Sequence, residues 1–419
     1  MVNMVKANPI YETFYRVVLG SWLLMMIVFS GDFASVKIFF MLILLGLTLI
    51  ELTQIKFSYN LRIWCSIFIW LAFCLASYLN GMINGFDFSF NLFFYFILTP
   101  VLCFILASVI DDSRFIFISK VLVLSLLCIY CLSFFYIGFR LGLYHIPQSI
   151  VSLNAFGGTK ITDAQLEVRL SSQSSLIFLL PYISVFMFIG SKRFFYSLLL
   201  FLGFIVVLFS GRRALQILFF FGIMISFYIY VRRDNLSTKR VSLILFYAIG
   251  ALFFMGVALE VVSYYAELKS PLTTFINTVL LSFDSTEGGG IQRHIQSVSL
   301  LEYFLSSPLW GHGLNSHTDY IRNLDEPWSY EWVYLALLAQ NGLFFFALFL
   351  IFLVCILKAL LKKSSIVNDS DVSVVLIAIF CGAVCFLIGG ASNPMVYFSW
   401  FWFLCFICMN GKLSIRTRS

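Results

Sequence analysis

Residues 173–233 read QSSLIFLLPYISVFMFIGSKRFFYSLLLFLGFIVVLFSGRRALQILFFFGIMISFYIYVRR. Three apolar runs, 173–190, 195–210 and 214–231, are separated only by short polar steps at Ser191-Lys192-Arg193 and Ser210-Gly211-Arg212-Arg213. Each run approaches the roughly twenty residues a helix needs to cross a hydrocarbon core about 30 Å thick. The runs are continuously apolar rather than alternating, which excludes the strand pattern of a membrane barrel. A helix is the remaining element that satisfies its own backbone hydrogen bonds in lipid.

The same pattern extends outward in both directions. Further runs fall at 17–30, 34–52, 63–80, 89–110, 115–137, 241–258, 330–357, 373–390 and 396–410. The reading is an all-α polytopic membrane protein of about twelve transmembrane helices, with 1–419 forming a single integral membrane domain. Composition agrees: 61% of the 419 residues are apolar, 50 are Phe and only 11% are charged, where a soluble domain carries about twice that charge. No segment between runs on the expected cytoplasmic side is long enough to fold as an ATPase or kinase. Lys6 and Arg16 ahead of the first run resemble a signal peptide, but the many later runs favour an uncleaved first helix.

An even number of spans puts both termini on one side. With the N-terminus inside, the cytoplasmic segments collect eighteen of the 27 Lys and Arg residues, as the positive-inside tendency requires. Both termini are therefore expected in the cytoplasm. The net charge of +7 sits in these short clusters and reads as a topology signal, not as a nucleic-acid surface. Two segments on the opposite face, 138–172 and 259–329, are too long for simple turns. In the second, Ile291, Ile295, Val298, Leu301 and Leu305 recur at helical steps, with Pro308 just beyond. This predicts an amphipathic helix lying on the membrane surface. All ten cysteines fall within apolar runs, so the loops have no disulfide to hold them, and the pairs Cys128/Cys131 and Cys405/Cys408 read as small hydrophobes.

Arg212 and Arg213 break the charge rule. They sit between apolar runs at the expected outer edge of the bilayer, where cations are disfavoured. They would either snorkel to head groups or bind an anion, because planar guanidinium forks match phosphate oxygens. The N-terminus of the helix near Ala214 would add N–H donors, with Ser210 as its cap. Arg293 lies on the polar face of the amphipathic helix, in reach of a lipid phosphate or of Glu287 or Glu302. Arg140, Lys160 and Arg169 populate the first loop, Arg169 being nearest to a span. Three of the four histidines, His294, His312 and His317, fall close together in the second loop. His312 and His317 are candidate general bases for a hydroxyl, and Glu331 at the start of a span is another. A metal site of His294, His312 and His317 with Asp284 or Asp319 is the competing use. No closely spaced ligand pair supports it, so no metal or cofactor is expected.

Together these features resemble the O-antigen polymerase and ligase superfamily of bacterial inner-membrane glycosyltransferases. Two patches carry the resemblance. Phe209-Ser210-Gly211-Arg212-Arg213-Ala214 is similar to that family's Ser-Gly-x-Arg-Gly helix break, with Ala214 where Gly is usual. The second patch is Arg293, then Pro308-Leu309-Trp310-Gly311-His312-Gly313, His317 and Asn341-Gly342-Leu343. The resemblance implies a C-type glycosyltransferase fold acting at the periplasmic face, without nucleotide-sugar or metal. The substrate would be an oligosaccharide linked to undecaprenyl pyrophosphate, held by Arg212, Arg213, Arg293 and Arg169. His317, His312 or Glu331 would take the acceptor's proton. Membrane lipids, a chain-length regulator and a flippase are the implied partners. Two loops, and Thr318 where ligases carry Asn after the histidine, favour polymerase over ligase. A multispan transporter of lipid-linked saccharide is the alternative of a different class. It would place charge within the spans and pair its helix breaks, whereas Pro100 and Pro181 form no repeat pair.

Overall fold

The computed structural model describes residues 9–54, 61–145, 161–162, 165–166, 168–233, 289–321, 324, 326–367, 369–410 and 412–413. The expected span 241–258, the loop residues 146–160 and 259–288, and Lys160, Lys269, Asp284, Glu287 and Arg322 lie outside these residues, as does the side chain of Arg140. The described helices are α1 (Pro9–Val28), α2 (Ala34–Gln54), α3 (Leu61–Ile83), α4 (Phe90–Ala107), α5 (Asp112–Arg140), α6 (Leu176–Ile189), α7 (Arg193–Phe209), α8 (Arg213–Arg233), α9 (Gly289–Ser306), α10 (Val333–Ile366), α11 (Ser370–Gly389) and α12 (Ser399–Asn410). Among the described residues, eight candidate spans are long and apolar enough to cross a membrane. This is the architecture of a multi-pass membrane protein. Every apolar run that falls within the described residues has become a helix. The sole described strand pairing is a two-residue ladder between Ile161–Thr162 and Gln165–Leu166.

The chain divides into two compact units, one comprising 1–27, 33–121 and 285–419, the other 28–32 and 122–284. In the first, aromatic packing replaces the hydrophobic effect that lipid does not supply between helices. Trp22 of α1 meets Phe403 of α12 edge-on at 5.3 Å, and Trp70 of α3 stacks on Phe352 of α10 at 5.0 Å. Pro100 has no N–H to offer the carbonyl four residues back, at Phe96, and α4 slips there into a π-turn over Phe94–Leu98. The freed Phe96 carbonyl accepts from the Trp70 indole N–H at 3.2 Å, so the defect is satisfied by the neighbouring helix.

One topology charge is not where the sequence suggested. Arg114, one of the eighteen cations counted in the segments between apolar runs, is fully buried. Its fork reaches Glu51 at 2.6 Å and Glu12 at 2.7 Å, and its plane lies 3.9 Å from the Tyr15 ring centroid. Helix α1 begins at Pro9, eight residues before the expected run, because Pro suits a first helical turn and Glu12 is held by this ion network. Helix propensity and a buried partner override hydropathy at this end.

In the second unit, α6 and α8 approach closely. A Cβ on Gly222 would overlap the ring of Pro181, and the Ser184 and Ser226 hydroxyls hydrogen-bond at 2.5 Å. Small residues at i and i+4 on α8 thus let the backbones meet, as membrane helices commonly do. Tyr130 of α5 donates to the Leu199 carbonyl of α7 at 2.9 Å.

Candidate functional site

In the second unit, the expected helix break is present. Helix α7 ends at Phe209 and α8 starts at Arg213. Gly211 between them has φ +57°, a left-handed backbone that glycine adopts at little cost. The Ser210 hydroxyl accepts from the Arg212 N–H at 3.2 Å and donates to the Val207 carbonyl at 2.7 Å, so it ties both helix ends together. The end of the first loop docks here: Val168 N–H donates to the Phe209 carbonyl at 2.8 Å. The following Ser171–Ser175 forms a 3₁₀ turn leading into α6.

Arg212 latches that turn to the break. Its Nη1 donates to Ser174 Oγ at 2.6 Å and its Nη2 to the Leu170 carbonyl at 2.8 Å. Its Nε is buried and finds no acceptor among the described residues. All of its partners are neutral. Burial, and next the charge of Arg169, push the Arg212 pKa down to about 10. The sign matters here. A depressed pKa on a cation means the fold disfavours the charged form, a penalty present throughout neutral pH and removed only as pH rises through about 10. An anion at the break would relieve it. Ser171 Oγ, Ser172 Oγ and Gln216 Oε1, from the same turn and the first turn of α8, are also buried without partners among the described residues. Between Val168 and Arg233 the sequence holds seven Lys and Arg residues and no Asp or Glu.

In the first unit, α9 forms as the spacing predicts, and its apolar stripe is uncovered: Ile291, Ile295, Val298, Leu301 and Leu305 are all exposed. The opposite face is packed, with Gln296 and Leu300 buried. Gln296 Oε1 accepts from the Glu331 and Trp332 N–H groups at 3.1 and 3.2 Å, and so serves as a side-chain cap for α10. Arg293 pairs with Glu331 at 2.6 Å, and not with the described Glu302; Glu287 lies outside the described residues. The pair occupies two residues that the sequence had placed in separate roles, Arg293 on a pyrophosphate and Glu331 as a base. Each group is the other's partner in this ion pair.

The two histidines differ. His312 stacks on Tyr303 with ring centroids 3.9 Å apart, and its Nε2 donates to the Tyr303 carbonyl at 3.0 Å. It is fastened to α9. His317 Nδ1 lies 3.2 Å from the Thr318 carbonyl. A carbonyl only accepts, so in this contact Nδ1 is the donor. Hydrogen bonds anchor the loop bearing His317. Thr318 N–H donates to Tyr330 Oη at 2.8 Å, and Gln340 Nε2 donates to the Ser316 carbonyl at 2.9 Å. Tyr330→Phe removes the acceptor for that N–H and is expected to cost about 1–3 kcal/mol, read as a lower melting temperature in detergent.

Residues that sequence reading passed over do much of the holding. Asn80 and Asn84 at the end of α3 donate to the Gly311 and His312 carbonyls, and Asn315 donates to the Phe86 and Asp87 carbonyls. In the other unit they are Ser174 and Gln216. The available signal was polarity out of place: two amides one turn apart inside an apolar helix, and Ser171-Ser172-Gln173-Ser174-Ser175 opening a span. No known family profile and no curated protein matches the sequence.

Proposed function

We propose that the chain is an O-antigen polymerase. It would be a bacterial inner-membrane glycosyltransferase that moves a growing glycan from undecaprenyl pyrophosphate onto a lipid-linked repeat unit at the periplasmic face. One observation carries the reading: Arg212 is held by neutral atoms only, beside Arg169, in a stretch of chain without carboxylates. Guanidinium groups so placed suit a diphosphate ester and favour its departure as charge develops on the leaving oxygen. In the reaction the acceptor hydroxyl oxygen bonds to the anomeric carbon, the bond from that carbon to the pyrophosphate oxygen breaks, and the hydroxyl proton passes to a base. The pyrophosphate is assigned to Arg169, Arg212 and Arg213. Arg293 is already engaged by Glu331, and His317, which is not stacked on and fastened to α9 as His312 is, is assigned as the base.

Cells lacking the gene should carry surface glycan one repeat unit long, and the intact gene should restore the ladder. Arg212→Ala and Arg169→Ala should each lower polymerisation on the order of 10²–10³-fold at unchanged protein level, with Lys a poor substitute because the fork is lost. His317→Ala should do likewise, whereas His312→Ala should act through stability. Ladders of normal length from Arg212→Ala and Arg169→Ala would reject the assignment, and loss of glycan-capped lipid A core with an intact ladder would identify a ligase.

A further inference from the structure

The second unit carries a further group of cations, at the opposite end of α7 from the Arg212 break. Helix α7 is 17 residues long, about 25 Å at 1.5 Å per residue, so the two groups are far apart. Here lie Lys192, between α6 and α7, and Arg193, the first residue of α7, near the last turn of α8, which bears Arg232 and Arg233. Arg193 lies over the Tyr230 ring at 5.9 Å, and that ring stacks on Phe188 of α6 at 5.8 Å. Arg232 lies over Tyr228 at 5.5 Å and donates from Nε to its hydroxyl at 3.1 Å. Each of the two guanidinium groups thus sits against an aromatic ring.

Described ion pairs join Arg16, Arg114 and Arg293 to carboxylates, and none of these four cations takes part in one. All four are exposed. An open cavity of about 440 Å³ is lined by Ser191, Lys192, Arg193, Phe194 and Phe195. Phe194 is 85% exposed and Tyr228 58%, apolar rings beside cations at the ends of the apolar helices α7 and α8. That combination is the head-group boundary: rings in the acyl region, charge at the phosphates.

We propose that Lys192, Arg193, Arg232 and Arg233 form a binding site for the head group of an anionic phospholipid. The phosphodiester would lie among the four cations, with Phe194 beside its acyl chains. The charge sum selects anionic over zwitterionic lipid, because a choline or ethanolamine ammonium would meet the same cations unfavourably. The site is independent of the pyrophosphate reading.

The test uses the full chain purified in mild detergent, titrated with phosphatidylglycerol, cardiolipin or phosphatidylcholine, with bound lipid counted by native mass spectrometry. Wild type should bind the two anionic lipids in preference to phosphatidylcholine, more weakly as salt rises. Lys192→Gln/Arg193→Gln and Arg232→Gln/Arg233→Gln should each lose anionic lipid on the order of tenfold, and Arg193→Lys should retain most of it. Phe194→Ser, which leaves the charges intact, should shorten residence of the bound lipid. Millimolar inorganic phosphate should not displace it; displacement would mean a free-phosphate site and overturn the lipid assignment. Equal binding of phosphatidylcholine, or unchanged anionic binding in both double variants while they remain monodisperse, would also overturn it.

Discussion

Arg114→Met is expected to prevent accumulation of folded protein. Arg114 is fully buried, and it satisfies Glu51 with two hydrogen bonds at 2.6 and 2.9 Å and Glu12 at 2.7 Å. A further bond runs from its Nη1 to the Val109 carbonyl at 3.2 Å. Glu12 retains Arg16 at 2.7 Å, but Glu51 is itself 2% exposed and would be left as a buried anion without a counter-charge. Removing one member of such a group costs about 3–5 kcal/mol, a large part of the 5–15 kcal/mol typical of a folded domain. The measurement is the yield and melting temperature of monodisperse protein in detergent. Arg114→Met combined with Glu51→Gln should recover part of the loss, since the amide carries no charge. An unaltered melting temperature for Arg114→Met would show that the network contributes nothing.

Gly342→Ala is expected to be nearly as damaging, for a reason rooted in backbone geometry. Gly342 interrupts α10 with φ 67° and ψ 177°, a region essentially reserved for glycine that costs other residues of order 1–3 kcal/mol. The gap it opens is filled by the 308–313 loop. Leu343 N–H donates to the Pro308 carbonyl at 2.8 Å, and Gly313 N–H donates to the Gln340 carbonyl at 2.7 Å. A Cβ at 342 would overlap the Leu309 carbonyl and the Gly311 nitrogen, adding about 1–3 kcal/mol of overpacking. The expected loss is several kcal/mol. Gly46→Ala is the control: it sits within α2 with nothing within 4 Å of the new Cβ, and it should be neutral or stabilising by about 0.5–1 kcal/mol.

The candidate site was legible in part. Ser210-Gly211-Arg212-Arg213 read as a helix break from four residues, because glycine between a capping serine and two cations ends one apolar run and starts another. The stripe from Ile291 to Leu305 read as amphipathic from its period alone, and its exposed apolar face agrees. The partner of Arg293 did not read out. Glu331 lies 38 residues away, whereas the described candidate Glu302 is near in sequence, and proximity along the chain did not point to the partner. His312 and His317 looked equivalent as loop histidines; what separates them is which ring nitrogen meets a carbonyl, and that depends on Tyr303 and Thr318 taking up particular positions.

The sequence by itself determined that this chain is built of membrane-length helices, and where those in the described residues lie. Hydrocarbon imposes a local rule: about twenty apolar residues, hydrogen-bonded within their own segment. That rule needs no knowledge of neighbours. Only the tertiary structure decided where charge is buried. Arg114 meets Glu51 and Glu12 across 63 and 102 residues, and Arg212 meets Leu170 and Ser174 across 42 and 38. Such pairings are set by which helices pack together, and in lipid that choice rests on close contact and on polar groups finding each other, neither of which hydropathy records.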